Sequence, residues 1–498
     1  MSLDTSISAI APDRFDAAAA WHLLNRVGYG GTPDDLQRLH ALGLDAAVDH
    51  LVDYGGVDAS KLPGIDLDPD VIRNLTNDER KKVQAARRSG DQDVLDEERR
   101  RGQAARREDQ KMMNWLRRWW LQRMADTPRP VEERLTLLWH GHFASSWRSV
   151  RDTYLMWQQN ELFRRNANGS FAELARGIIR DPAMLKYLNN NQNRKQRPNE
   201  NLSRELMELF TLGVGNYSEA DIKAGARALT GYGIDDHDFV FRKGQHDTNE
   251  KKILGRSGTF DGDDFVDILL RQESCARFVA LKIYDDFVAD VGDVYEAVPS
   301  VNRRVIDKLA RQLERHDFEL KPVLKSLFKS KHFYDPAIVG KKIKSPVQLA
   351  VGTMRSLDLP TRDRSITDKA LAAMGQVLFE PPTVDGWDGG RAWINTSTLF
   401  VRQNLTTYLI SGKHPTKKST PKDVGYDPQA WVAVMDDRSP RGVTDFMIDH
   451  LVGPHTPAER RAPAHAFMAK RETGETVSND SVVAMACLIT AMPEYQLC

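Results

Sequence analysis

The residues best equipped for chemistry crowd one stretch, 198–221, which reads PNENLSRELMELFTLGVGNYSEAD. It carries Asn199, Glu200, Arg204, Glu205 and Glu208 within ten positions. On a helical wheel Leu202, Leu206, Leu209 and Phe210 form an apolar face, and Glu200, Arg204 and Glu208 recur every four residues opposite it. Glu205 falls on the border between the two faces, where a carboxyl is half buried. Lost hydration disfavours the charged form, so such a carboxyl holds its proton to higher pH and suits a general acid.

Three further groups could join it. His140 and His142 flank Gly141, where a helix over 131–140 is expected to stop; in irregular chain two histidines so spaced can converge. His246 and Asp247 adjoin in a turn, a pairing suited to metal ligation or proton relay. Glu208 with His140, His142 or His246 could hold a divalent metal and its activated water, with Asp247 as a further catalytic carboxylate. Trp387 and Trp393 sit in a loop shaped by proline and glycine, where an indole can stack on a sugar ring or cover a cleft. Asn199, Glu200 and Arg204 would contact substrate beside them. Each group has an ordinary alternative: salt-bridge partners for the acids, hydrogen-bonded histidines at turns, and core-filling tryptophans.

The elements that must position these residues read as mainly α. Pro198 suits a first helical position, Gly213 and Gly215 end the helix, and Ser218 looks like the N-cap of the next. Thr32-Pro33-Asp34-Asp35 is another helix start, with a helix running to Gly43 and a shorter one beyond. From 77 to 124 the chain is densely charged with acids and bases interleaved, the pattern of a solvated helix laced with i,i+4 pairs. It ends in an aromatic run, 115–121, that would anchor it in the body. Further helices are expected over 154–165, 171–179, 278–288, 301–313, 322–328, 347–357 and 399–410. The runs 239–241 and 252–254 read as β-strands flanking the turn at 244–247, a small hairpin or sheet near residues 238–256. The segments are an N-terminal helical part (1–75), a charged helical part (76–127), a main body with the site (128–410), and a linker with C-terminal helices (411–498), read as one integrated fold. The linker is placed at 413–428.

Lys plus Arg and Asp plus Glu each number 70, so the formal net charge is zero and nothing draws the chain toward nucleic acid. Three cysteines, Cys275, Cys487 and Cys498, are too few for a disulfide framework or a cysteine-rich zinc site. No run approaches the roughly 18 apolar residues of a membrane span. No basic-then-apolar leader is visible at the start, so cytoplasm is the compartment expected from the residues.

Several segments carry a family resemblance. They include LLNRVGYG (23–30), LLWHGHFASS (137–146), NENLSRELMELFTLGVGNYSEADI (199–222), ARALTGY (226–232), HDTNEKKILG (246–255), IKSPVQLAVGTMRSL (343–357), GQVLFEPPTVDGW (375–387) and PEYQL (493–497). The chain resembles the bacterial domain-of-unknown-function family 1800. The resemblance implies export in many relatives and a protein partner from a neighbouring family similar to sulfatases and phosphatases. The stretch 205–215 is also similar to helical lysozymes, in which a glutamate precedes a Gly-x-Gly hairpin, though the spacing here is shorter. Together these give an expectation of a hydrolase-type enzyme acting on a glycan or an envelope phosphoester or sulfoester. The alternative is a non-catalytic helical scaffold or partner-binding protein, with Glu200, Arg204, Glu208 and Arg227 as a structural ion-pair network.

Overall fold

Local capping decides where many helices begin. Thr32 accepts from the Asp35 amide while Asp35 returns a bond to Thr32, opening helix Pro33–Val52, which kinks where Gly43 takes φ 73°. Ser218 with Asp221 opens Glu219–Ala228 in the same way, and Asp261 with Asp264 opens Gly262–Leu270. The computed structural model describes residues 3–360, 362–413, 426–472, 474 and 476–498. Among them the protein is mainly α, 63% helical, with 22 helices and two small two-stranded antiparallel sheets. No described helix is long and apolar enough to cross a membrane. Of the expected linker at 413–428, residues 414–425 lie outside the described residues.

The charged run forms two helices rather than one. Asn77–Ser89 ends at Gly90, in the left-handed region at φ 74°, and Gln92–Asp126 then runs for 35 residues. Its ion pairs Asp96–Arg99, Glu98–Arg101 and Glu108–Lys111 are spaced i,i+3, not i,i+4, and Arg101 also reaches Glu79 on the preceding helix. Its C-terminal part buries Met113, Leu116, Trp120, Leu121 and Met124. Glu133, fully buried, locks that end in place: it accepts from Trp120 Nε1 at 2.7 Å, Arg123 Nε at 2.5 Å and Arg164 Nε at 2.8 Å. Burial alone would raise the Glu133 pKa, but Arg164 and Arg123 hold it below the usual range.

The strands pair differently from expectation. β1 (Tyr232–Asp235) pairs with β2 (Asp238–Phe241), and β3 (Lys251–Ile253) with β4 (Arg256–Gly258). The runs 239–241 and 252–254 therefore belong to separate hairpins and do not pair across 244–247. Each hairpin closes over two residues, and Leu254 and Gly255 both take positive φ, as a two-residue turn of the tight hairpin class needs.

Three apolar cores join segments far apart in sequence. The first combines the N-terminal helices with residues from 131 to 338. The second packs the end of the long helix against 347–409, and the third closes the C-terminal helices on Leu349 and Leu357. Arg26, fully buried in the 23–30 segment, stitches the first core together. It donates to the carbonyls of Phe287 (3.2 Å), Val288 (2.5 Å), Ile338 (3.0 Å) and Cys498 (2.5 Å). Those bonds fix the backbone beside residues 285–290, which form one wall of the cleft described next.

Candidate functional site

The stretch 198–221 is not one α-helix. Asn201–Glu205 is α-helical and Leu206–Thr211 is π-helical. The Leu212 amide bonds the Met207 carbonyl at 2.8 Å, five residues back, and the Thr211 hydroxyl bonds the Leu206 carbonyl at 2.5 Å. The start also shifts: Pro198 precedes the helix, and Asn199 Oδ1 accepts from the Asn201 amide at 3.0 Å. Widening the helix changes which side chains face inward. Leu202, Leu206, Met207 and Phe210 are buried, while Leu209 is only half buried.

Glu205 and Glu208 are both half buried on this widened turn. Glu205 is held above the ordinary glutamate range, first by burial, then by the negative charges of Glu208 and Asp385, with Arg204 opposing weakly. Asp385, from the tryptophan loop, is thus a third carboxylate of the cluster. Two phenols border it. Tyr217 donates its hydroxyl to Glu208, and its own pKa is pushed up by burial and by that bond. Tyr187 is raised by burial and by Glu205 and Asp385. Arg204 turns away, with bonds of 2.8 and 2.9 Å to Glu219 and 3.4 Å to Glu200.

His142 ties this stretch to helix Pro130–His142. That helix continues through Gly141 rather than stopping there, so His140 and His142 lie on different sides of it. His142 Nε2 donates to the Phe210 carbonyl at 3.0 Å, among the rings of Phe143, Phe171, Phe210 and Phe278. His140 Nε2 accepts from the Phe379 amide at 3.1 Å, between Trp120, Phe379 and Trp387. Burial lowers both to about 3, with Lys282 adding to the effect at His142.

His246 and Asp247 are held elsewhere, at the end of helix Glu219–Ala228. His246 Nδ1 sits 2.9 Å from the Thr230 carbonyl. Asp247 accepts from Arg227 Nε at 2.7 Å, which lowers it to about 2. The expected metal set of His140, His142 and His246 with Glu208 is therefore not assembled. Among the described residues no group of three or more His, Cys, Asp or Glu is placed to hold a metal ion. The physical reason is local: one nitrogen of each histidine is engaged by backbone, His142 Nε2 with the Phe210 carbonyl, His140 Nε2 with the Phe379 amide and His246 Nδ1 with the Thr230 carbonyl.

The tryptophan loop closes over a cleft. Gly386, at φ 93°, rests on the end of helix Pro130–His142 so closely that a Cβ there would sit 2.3 Å from the Gly141 carbonyl oxygen. Trp387 is half buried and Trp393 buried, and both line the inner chamber of about 150 Å³ with His142 and Asp385. Its opposite wall is Lys282, Asp285 and Asp286 from helix Glu273–Phe287, with Asp290 and Asp293 beyond. An outer chamber of about 710 Å³ shares Asp285, Asp290, Asp385 and Trp387 with it. Three ion pairs cross this wall: Arg134–Asp286 at 2.9 Å, Lys282–Asp293 at 2.6 Å, and Lys342–Asp290.

Residues 22–497 match the family described as Protein of unknown function (DUF1800). The chain belongs to that family. No curated protein and no solved structure matches it. The resemblance drawn from the DUF1800 segments thus stands over nearly the whole chain. Of those segments, 137–146, 199–222 and 375–387 meet in space around Asp385, Trp387, His142 and the two glutamates. In this DUF1800 protein the 246–255 segment instead serves a hairpin, and 23–30 a buried arginine anchor. Sequence reasoning passed over Asp385, Asp286 and Arg134. Asp385 had one local signal, its place two residues before Trp387; the other two read as ordinary helix charges.

Proposed function

We propose that this protein is a hydrolase-type enzyme acting on a glycan of the cell envelope, with Glu205 as its general acid. The observation carrying this reading is the environment of Glu205: half burial and the charges of Glu208 and Asp385 hold its carboxyl above the ordinary glutamate range. Glu205 would protonate the glycosidic oxygen as the bond from it to the anomeric carbon breaks. The positive charge that develops on the sugar is stabilised by the carboxylate of Asp385 or Glu208; water then adds its hydroxyl to the anomeric carbon and its other proton restores the one Glu205 gave up. Trp387, on the same loop as Asp385, offers a face for a sugar ring. A glycan is favoured over a phosphoester or sulfoester because the carboxylates here cluster with one another and with phenols. The test is reducing-end release from purified envelope glycan by the wild type and by Glu205→Gln. We expect the variant to fold normally and to lose at least a hundredfold in rate; undiminished activity would remove Glu205 as the acid.

A non-catalytic scaffold is the second reading, favoured by the ion pairs Arg204–Glu219, Arg204–Glu200 and Arg227–Asp247, which do structural work on the same stretch. It predicts no turnover by the wild type on any glycan. Export and a sulfatase- or phosphatase-like protein partner are likewise proposals. Co-expression with such a neighbouring gene product and co-purification as a stoichiometric complex tests the second.

A further inference from the structure

The cleft does not end at the inner chamber. A third cavity, of about 70 Å³, lies against the turn 213–216 that follows the π-helix. A Cβ at Gly213 would sit 3.2 Å from the Phe278 ring, so this turn rests directly on helix Glu273–Phe287. Asp293 lines the small cavity, the inner chamber and the outer chamber alike, so the three adjoin.

Helix Glu273–Phe287 sets their order. Ser274, Arg277 and Phe278 line the small cavity, Lys282 the inner chamber, and Asp285 both the inner and the outer one. Positions 274, 278, 282 and 285 recur every three or four residues and so form one stripe on one face of the helix. At a rise of ~1.5 Å per residue that stripe is about 16 Å long, and the outer chamber continues past the helix end. Asp385 lines the inner and outer chambers but not the small cavity, so the groove extends to either side of it. Charge along the groove is matched. Lys282 pairs with Asp293 at 2.6 Å, Arg134 with Asp286 at 2.9 Å, Arg277 with Glu273 at 2.5 Å, and Lys342 with Asp290. Lys341 and Arg391 line the outer chamber together with Asp385 and Asp388. No stripe of one sign is therefore offered to a charged polymer. Apolar surface recurs instead: Val214 and Val294, 69% and 57% exposed, line the small cavity, and Trp387 and Trp393 line the inner chamber.

We propose that this groove seats the interior of a neutral glycan chain, running from Val214 and Val294 past Asp385 into the outer chamber, so that cleavage falls within the chain rather than at its end. Apolar patches spaced along a polar, charge-balanced floor suit sugar rings in a row, their faces on the patches and their hydroxyls on the charged pairs. Each cut breaks one glycosidic C–O bond and consumes one water. Its hydroxyl goes to the anomeric carbon, and its proton replaces the one Glu205 gives to the departing oxygen.

The place of the cut rests on the glycan reading above, and the experiment separates the two. Calorimetric titration of full-length Glu205→Gln with chito- and cello-oligosaccharides of two, four and six rings measures the groove without turnover. Affinity for at least one series should rise about tenfold or more from two rings to six. Adding Val214→Ser and Val294→Ser, both at exposed positions, should cut six-ring affinity about fivefold or more, with two-ring binding and Tm unchanged. Wild-type digestion of the six-ring sugar of that series should release inner fragments before end units. Binding of neither series, affinity independent of length, or a valine effect equal at both lengths overturns the groove. Length-dependent binding with no hydrolysis by the wild type upholds the groove and removes Glu205 as the acid. Hydrolysis that releases only end units overturns cleavage within the chain and leaves the acid standing.

Discussion

Asp181 should make the fold lose stability as pH rises toward neutrality, and replacing it with asparagine should abolish that loss. Its carboxyl is wholly enclosed at the start of helix Pro182–Tyr187. Oδ1 accepts from the Met184 amide at 2.8 Å and from Gln159 Nε2 at 2.7 Å, and Gln159 in turn accepts from Ser145 at 2.5 Å. This chain braces the 137–146 segment from behind. Burial pushes the Asp181 pKa from 3.8 up to about 7, with the hydrogen bonds only partly opposing. Below pH 3.8 the group is protonated folded or unfolded and exerts no pH effect. Between there and about 7 the unfolded chain ionises while the folded one keeps its proton, so stability falls with pH. Roughly 3 units at ~1.36 kcal/mol each come to about 4 kcal/mol by pH 8. Asparagine mimics the protonated carboxyl and can still accept both bonds. Urea unfolding of wild type and Asp181→Asn across pH 4 to 8 isolates the group, because other titrations cancel in the difference. The variant should be near parity at pH 4 and more stable by several kcal/mol at pH 8. A difference that does not change with pH would refute the reasoning.

Two further perturbations follow from the geometry. Glu133→Ala leaves Arg123 and Arg164 buried without their shared carboxylate and should cost about 3–5 kcal/mol by urea denaturation, against well under 1 kcal/mol for the exposed Glu108→Ala. Gly386→Ala places a methyl 2.3 Å from the Gly141 carbonyl at φ 93°, so about 1–3 kcal/mol should be lost in thermal melts, with a changed near-ultraviolet tryptophan signal.

Much of the local architecture was legible because its causes are local. The caps at Thr32 and Ser218 depend on residues three apart, and the interleaved acids and bases with the aromatic run at 115–121 marked the charged helical region and its buried end. The hairpins were legible as a region but not as a pairing, because residues such as Leu254 give little sign of the positive φ that closes a two-residue turn. The site was legible only in parts. Half burial of Glu205 follows from its place between helix faces. Its electrostatic partner Asp385 lies far along the chain and is delivered by Gly386 resting on Gly141. The π-helix was hidden too, since it depends on the Thr211 hydroxyl reaching the Leu206 carbonyl. The histidines looked like ligands because sequence does not reveal that Phe210, Phe379 and Thr230 supply their partners.

The claim beneath the functional reading is that Glu205, Glu208 and Asp385 act on one another as a single carboxylate cluster. Selective ¹³C labelling of glutamate carboxyls, with Glu205→Gln assigning the resonance, measures it directly. The Glu205 midpoint should lie above the ordinary value of about 4.3 and should fall when Asp385 is replaced by asparagine. A midpoint at or below that value, unmoved by Asp385→Asn, would contradict the account.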